Sequence, residues 1–114
     1  MGNANTTPRW MSVILVASLL YWTSARADCV LPAPPSRIPD GRSASAQEML
    51  AAMRTLKRYN DDIDEYTKCL EFEKRQNHIS YDDQERQRNA AIDSLQNVAN
   101  RFNEQVRRFK ARGS

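Results

Sequence analysis

The sequence predicts an all-α protein: an antiparallel two-helix (coiled-coil-like) hairpin with an extended proline-rich N-terminal arm that one disulfide staples to it. Three observations lead to this prediction. Residues 46–112 contain no proline or glycine, and apolar residues recur there at helical spacing. Residues 30–45 contain four prolines, which remove backbone donors and disfavour a helix. The chain has two cysteines, one in the arm and one in the first helical stretch.

The N-terminal segment, residues 1–27, has the features of a secretory signal peptide. Arg9 precedes the uncharged run 10–22, and the Ala-Arg-Ala triplet at 25–27 resembles a cleavage site. The alternative is a membrane anchor, but a run of 13 residues is shorter than the roughly 20 that a spanning helix needs. We therefore expect cleavage after Ala27, no transmembrane span in the mature chain, and export to the periplasm, with full secretion as the alternative.

The position of Cys29 raises the question of lipid attachment. A lipoprotein signal leads into its cysteine through small residues, whereas Arg26 is bulky and Asp28 is charged. In an oxidising compartment, two cysteines in a short chain indicate a disulfide instead. We expect Cys29 to pair with Cys69, because a polyproline-like arm is long enough to reach that far along the first helix. A bridge between two chains is the alternative.

The arm comprises residues 28–45. Its prolines favour an extended, polyproline-like backbone. The tetrapeptide "IPDG" at 38–41 has the order of a type I turn, with Pro39 second and Gly41 fourth. We expect the arm to run back along the hairpin with three apolar residues over its surface: Val30, Leu31 and Ile38.

The helical hairpin comprises residues 46–112, with a turn near 77–81. Capping-box spacings precede both helices: Ser45 with Glu48, and Ser80 with Asp83. The expected seam consists of one apolar stripe from each helix. The first stripe contains Met49, Met53, Leu56, Ile63 and Leu70, and the second contains Ile92, Leu95, Ala99, Phe102, Val106 and Phe109.

The two stripes agree on one antiparallel register. Met49 with Phe109 and Ile63 with Leu95 both have position numbers that add to 158, and half of this value falls within the predicted turn. Asn60 interrupts the first stripe, either to fix the register or because the seam is partly wet. Four apolar residues off the seam suggest self-association into a four-helix bundle: Leu50, Phe72, Ile79 and Val98.

Charge is segregated along the mature chain, although its 15 basic and 14 acidic residues do not indicate nucleic-acid binding. The basic end of the hairpin, residues 37–58 and 101–112, has ten basic and three acidic residues. The stretch 59–100 has five basic and ten acidic residues. The basic end is thus a candidate site for anionic envelope lipid, polysaccharide or a chaperone-type client. Its candidate residues are Arg54, Lys57, Arg58, Arg101, Arg107, Arg108, Lys110 and Arg112.

A plainer explanation covers part of this pattern, because cations favour a helix C-terminus. That preference explains the basic residues at 107–112. It does not explain Arg54, Lys57 and Arg58, which lie near the start of the first helix.

Catalytic, cofactor and metal sites are not expected. Two thiols and the single histidine, His78, offer too few ligands for a metal site. His78 lies beside Asp82 and Asp83 in the sequence, but nothing nearby supplies a nucleophile or a shielded pocket. The sequence therefore predicts a protein that is not an enzyme and that acts by binding a protein partner or a second copy.

The order of Cys29, a proline arm, "IPDG" and a helix that ends in "YTKC" resembles small exported proteins of Gram-negative bacteria. The resemblance covers nearly all of the mature chain. It implies a periplasmic or secreted helical protein of the cell envelope, and it supplies no functional residues.

The intact mass of the exported protein tests these assignments together. We expect a chain that begins at Asp28, carries no diacylglyceryl group, and is about two mass units lighter before reduction than after it. An added lipid mass would show that Cys29 is acylated, and a covalent dimer would show that the bridge joins two chains.

Overall fold

The computed structural model describes Gly2 and residues 28–113. Within that part it has two α-helices, α1 (Ala46–Arg75) and α2 (Tyr81–Arg112), and no strand. The helices pack against each other as the predicted all-α hairpin. The predicted signal peptide lies outside the described residues, Gly2 apart. None of the described helices is long and apolar enough to cross a membrane.

Two hydrogen bonds show the antiparallel register. The Tyr59 hydroxyl lies 2.9 Å from Ser94 Oγ, and the Tyr66 hydroxyl donates to Gln87 Oε1 at 3.2 Å. A step of seven residues forward along α1 is matched by a step of seven back along α2. These bonds also satisfy the polar ends of two tyrosines that are otherwise buried.

Both helices begin at the predicted caps. Ser45 Oγ accepts from the Glu48 N–H at 3.1 Å, and the Glu48 carboxylate accepts from the Ser45 N–H at 2.7 Å. The bond from the Ser45 backbone holds the pKa of Glu48 below its ordinary value. At α2, Ser80 Oγ accepts from the Asp83 N–H at 3.0 Å. Each hydroxyl thus satisfies an N–H that the first helical turn leaves unpaired.

The turn between the helices is a Schellman motif. The Asn77 N–H donates to Lys74 O at 3.0 Å, and the His78 N–H donates to Glu73 O at 2.9 Å. Asn77 has a φ of 57°, a left-handed conformation that asparagine tolerates better than most residues. The chain therefore reverses between Arg75 and Tyr81 with the carbonyls of Phe72, Glu73 and Lys74 satisfied.

The arm is joined to α1 through the predicted Cys29–Cys69 disulfide, with the two Cα atoms 5.7 Å apart. Half-buried arm residues recur every third position, which is the period of a polyproline II helix. They are Cys29, Pro32, Pro35 and Ile38. The prediction that Val30 and Leu31 cover the hairpin is wrong, since Val30 is 80% exposed and Leu31 is exposed as well. Because every third arm residue faces the helices, the side chains of Val30 and Leu31 point away from them.

The arm covers one core cluster, whose buried members all come from the two helices. Cys29 and Ile38 pack against a buried group from both helices: Tyr59, Ile63, Tyr66, Leu70, Ala91 and Val98. A second cluster lies near the open end of the hairpin, where α1 begins and α2 ends, and combines Ala44, Met49 and Phe102. Two core predictions are wrong. Val98 is 4% exposed because the arm side of α2 is covered, so it offers no surface for self-association, and Met53 is 50% exposed.

The turn near the end of the arm is shifted by two residues from its predicted place. Asp40, not Ile38, is its first residue, because Asp40 O accepts from the Ser43 N–H at 3.0 Å. The Asp40 carboxylate also accepts from the Arg42 N–H at 2.9 Å, a side-chain turn that aspartate favours. This backbone bond holds the pKa of Asp40 below its ordinary value. The Gly41 N–H is left free to donate to Gln105 Oε1 at 2.9 Å.

Gly41 lies directly against α2. A Cβ at this position would be 1.9 Å from Gln105 O and 2.9 Å from Phe109 N. The carbonyl of Gly41 accepts from Arg112 Nη1 at 3.1 Å, and the carbonyl of Ala44 accepts from the same atom at 2.6 Å. The turn is thus fastened to the end of α2, as the start of the arm is fastened to α1.

Gly41→Ala should lower the free energy of unfolding by about 2 kcal/mol or more, because the methyl group would displace the turn from the α2 backbone. Gly113→Ala is the matched control, since its Cβ would have its nearest contact at 3.7 Å, and it should change stability by less than about 0.5 kcal/mol. Urea unfolding of both oxidised variants measures the difference. Equal stability of the two would contradict this account of Gly41.

Candidate interaction groove

The hairpin has a groove on each side of its seam, and the arm fills only one of them. Tyr66 and Cys69 lie on the covered side of α1. Met53, Asn60 and Thr67 follow one another at intervals of seven residues on the opposite side, where they line open space between the helices. We call this open space the uncovered groove.

The half of the uncovered groove nearer the open end is apolar. It has a volume of about 460 Å³. Its apolar lining consists of Met53, Leu56, Leu95 and Ala99, with Lys57, Asn60 and Gln96 at its edges. Met53 stands half exposed there, so this half presents apolar surface to solvent with no part of the described chain over it.

The half nearer the turn is more polar and has a volume of about 310 Å³. Ile63 and Ile92 form its floor, and its edges carry Asp61, Asp64 and Arg88. The two halves share Asn60 and Leu95, so they adjoin on the same side of the hairpin.

Ion pairs hold the acidic edge of this groove. Asp61 accepts from Lys57 Nζ at 3.2 Å, and Asp64 accepts from Lys68 Nζ at 2.6 Å. The Asp64 contact raises the pKa of Lys68. Both pairs are exposed and join residues one helical turn apart, so solvent screens them and each contributes little to stability.

Two polar residues of α1, Asn60 and Thr67, line this side of the hairpin and keep it accessible to water. Asn60 is exposed. Thr67 Oγ1 donates to Asp64 O within its own helix at 2.8 Å. In a single chain, Asn60 therefore meets solvent where an apolar residue would have closed the seam.

The basic end contains residues with different roles. Lys57 and Arg108 form ion pairs with Asp61 and Glu104. Arg112 holds the arm turn through two carbonyls and lies over the Phe109 ring at 5.3 Å. Lys110 is exposed. Four arginines form no ion pair with any described residue: Arg54, Arg58, Arg101 and Arg107.

His78 lies in the turn with its Nδ1 2.8 Å from a carboxylate oxygen of Glu73. The sequence neighbours Asp82 and Asp83 are not its partners; Asp83 instead caps α2 and contacts Arg86. Among the described residues, no group of three His, Cys, Asp or Glu side chains could hold a metal ion.

Comparison with protein-family models, with curated proteins and with solved structures finds no match. The function must therefore be inferred from the surface itself. The uncovered groove is a candidate site that the sequence analysis missed, because that analysis assigns Met53 to the seam. The signal that points to it is Cys69, which follows Tyr66 by three residues and so directs the arm to the Tyr66 side of α1.

Proposed function

We propose that the protein is an exported, non-catalytic interaction protein of the bacterial cell envelope that binds a helical surface of a partner, either a different protein or a second copy, in its uncovered groove. The observation behind this proposal is the asymmetry of the hairpin. One groove is filled by the arm, whereas its counterpart leaves Met53, Leu56 and Leu95 beside open space. The Cys29–Cys69 disulfide supports an extracellular or periplasmic setting, where such bridges persist.

A helix is the element that fits this surface best. A groove between two antiparallel helices accepts a further helix by the ridge-and-groove packing that builds helical bundles. Met53 has a flexible, polarisable side chain that adapts to a partner's shape. The polar half, with Asp64 and Arg88, would meet polar groups at the rim of the partner, as interfaces commonly do.

The first test places a photoreactive amino acid at Met53 in cells and compares it with the same substitution at Leu50. Both residues are apolar, exposed and on α1, at 50% and 42%, but Leu50 does not line the groove. We expect a discrete cross-linked protein from position 53 and none from position 50. The purified partner should then bind at least about tenfold more weakly to Met53→Glu than to Leu50→Glu. Equal binding by the two variants would refute the groove as the binding site.

A second candidate function is binding of an anionic envelope surface by the basic end. The observation that favours it is the group of exposed arginines without an ion pair among the described residues, in particular Arg54, Arg58 and Arg101. Unpaired guanidinium groups retain their full attraction for phosphate, with which they form forked hydrogen bonds.

Vesicle co-sedimentation tests this second candidate. Phosphatidylglycerol vesicles, but not phosphatidylcholine vesicles, should bind the protein, and binding should weaken as salt rises. Arg54→Glu, Arg58→Glu and Arg101→Glu together should abolish binding. The control changes net charge equally at the other end of the molecule, by Lys68→Glu, Arg75→Glu and Arg86→Glu. If both triple variants lose binding alike, only net charge matters and the basic end is not a site.

A further inference from the structure

We propose that the uncovered groove is closed by the same groove of a second copy, in an antiparallel two-fold dimer that forms a four-helix bundle. This inference rests on the proposed function, because it names the partner of the same groove. It differs from the self-association surface predicted from the sequence, of which Leu50 and Phe72 are exposed, whereas Val98 is buried and Ile79 is packed against the core.

The edge of the groove on α2 has a self-complementary order of side chains. Positions 93, 96, 100, 103 and 107 follow one another at steps of three or four residues, so they share one stripe of the helix. Gln96 of this stripe lines the groove. The stripe reads Asp93, Gln96, Asn100, Asn103 and Arg107. An acid therefore stands at one end, a base at the other, and an amide in the middle.

A two-fold axis that passes by Asn100 pairs this stripe with itself. Asp93 and Arg107 each lie seven residues from Asn100, or about 10 Å along the helix in opposite directions. Reversal of the second copy brings Asp93 over the partner copy's equivalent of position 107, and the contact occurs twice. Asn100 meets its own copy, and an amide can both donate to and accept from another amide.

The apolar half of the groove lies beside the same point of the helix. Leu95 and Ala99 line it from α2, and both fall between Asp93 and Arg107. The arrangement thus lays apolar surface on apolar surface, with the charged pairs at its margin. A central apolar patch with a polar rim is the usual anatomy of a protein interface.

The charges that flank the groove are available for this contact. Asp93 and Arg107 are both exposed, and neither forms an ion pair with a described residue. Reversal about Asn100 places residues 101–112 of one copy over residues 88–99 of the other, where Asp93 is the acidic residue. A parallel dimer would bring the two basic ends together, which costs stability.

The test uses the oxidised chain and sedimentation equilibrium over a wide concentration range. We expect a monomer–dimer equilibrium. Met53→Glu should raise the dimer dissociation constant at least about tenfold, because it places a carboxylate in the apolar half. Leu50→Glu, outside the groove, should change it by less than about twofold. Circular dichroism confirms that both variants remain helical, as is expected for two exposed positions.

A charge exchange tests the orientation. Asp93→Arg and Arg107→Asp should each weaken the dimer, since each sets like charges against each other twice. The double variant should restore dimerisation to near the original level, and added salt should shrink all of these differences. Failure of the double variant to recover would overturn the antiparallel arrangement.

A chain that stays monomeric up to roughly millimolar concentration would overturn the dimer. If a cellular partner still cross-links to position 53 in that case, the groove remains a binding site and only the second copy is excluded. If position 53 captures nothing and the chain is monomeric, the proposed function fails as well. A dimer that Met53→Glu leaves intact would place self-association on another surface.

Discussion

The fold depends on an arm that is held against the hairpin at both ends. Two helices alone share one narrow seam, and a protein of this size then buries too little apolar surface for a stable fold. The disulfide at Cys69 fixes one end of the arm to α1, and the Gly41 turn fixes the other to α2. Between these points Ile38 and the half-buried prolines add a third layer. That layer buries Tyr59 and Tyr66 and turns a seam into a core.

The asymmetry of the surface follows from this arrangement. The arm is held by a single disulfide and covers only one groove, so the residues of the opposite groove stay in contact with solvent. The polar residues at positions 60 and 67 are compatible with water, so this side of the seam can stay open. Met53 and Leu56 give this groove an apolar half that is in contact with water. The same constraint that completes the core therefore also creates the candidate binding surface.

Local signals in the sequence predicted most of the framework, whereas features that depend on three segments at once were harder to predict. Ser45 and Ser80 cap their helices as their spacing indicates, because a cap is decided within four residues. Val30 and Met53 were placed on the wrong surface, since each assignment depends on where the arm lies relative to both helices. The turn at Asp40 was displaced for a similar reason: α2 takes the Gly41 N–H that a turn two residues earlier would have used. The sequence analysis did not predict the candidate groove, although Asn60 interrupts the apolar stripe at that place.

The distant contacts of Gly41 also determine when the chain can finish folding. The turn at the end of the arm is held by Gln105 and Arg112, which are 64 and 71 positions further along. The disulfide and the middle of α2 can enclose Tyr59 and Tyr66 before the Gly41 turn is fixed, because Cys69, Gln87 and Ser94 all precede Gln105. The last turn of α2 thus determines whether the far end of the arm stays attached, since removal of Arg112 would release the carbonyls of Gly41 and Ala44.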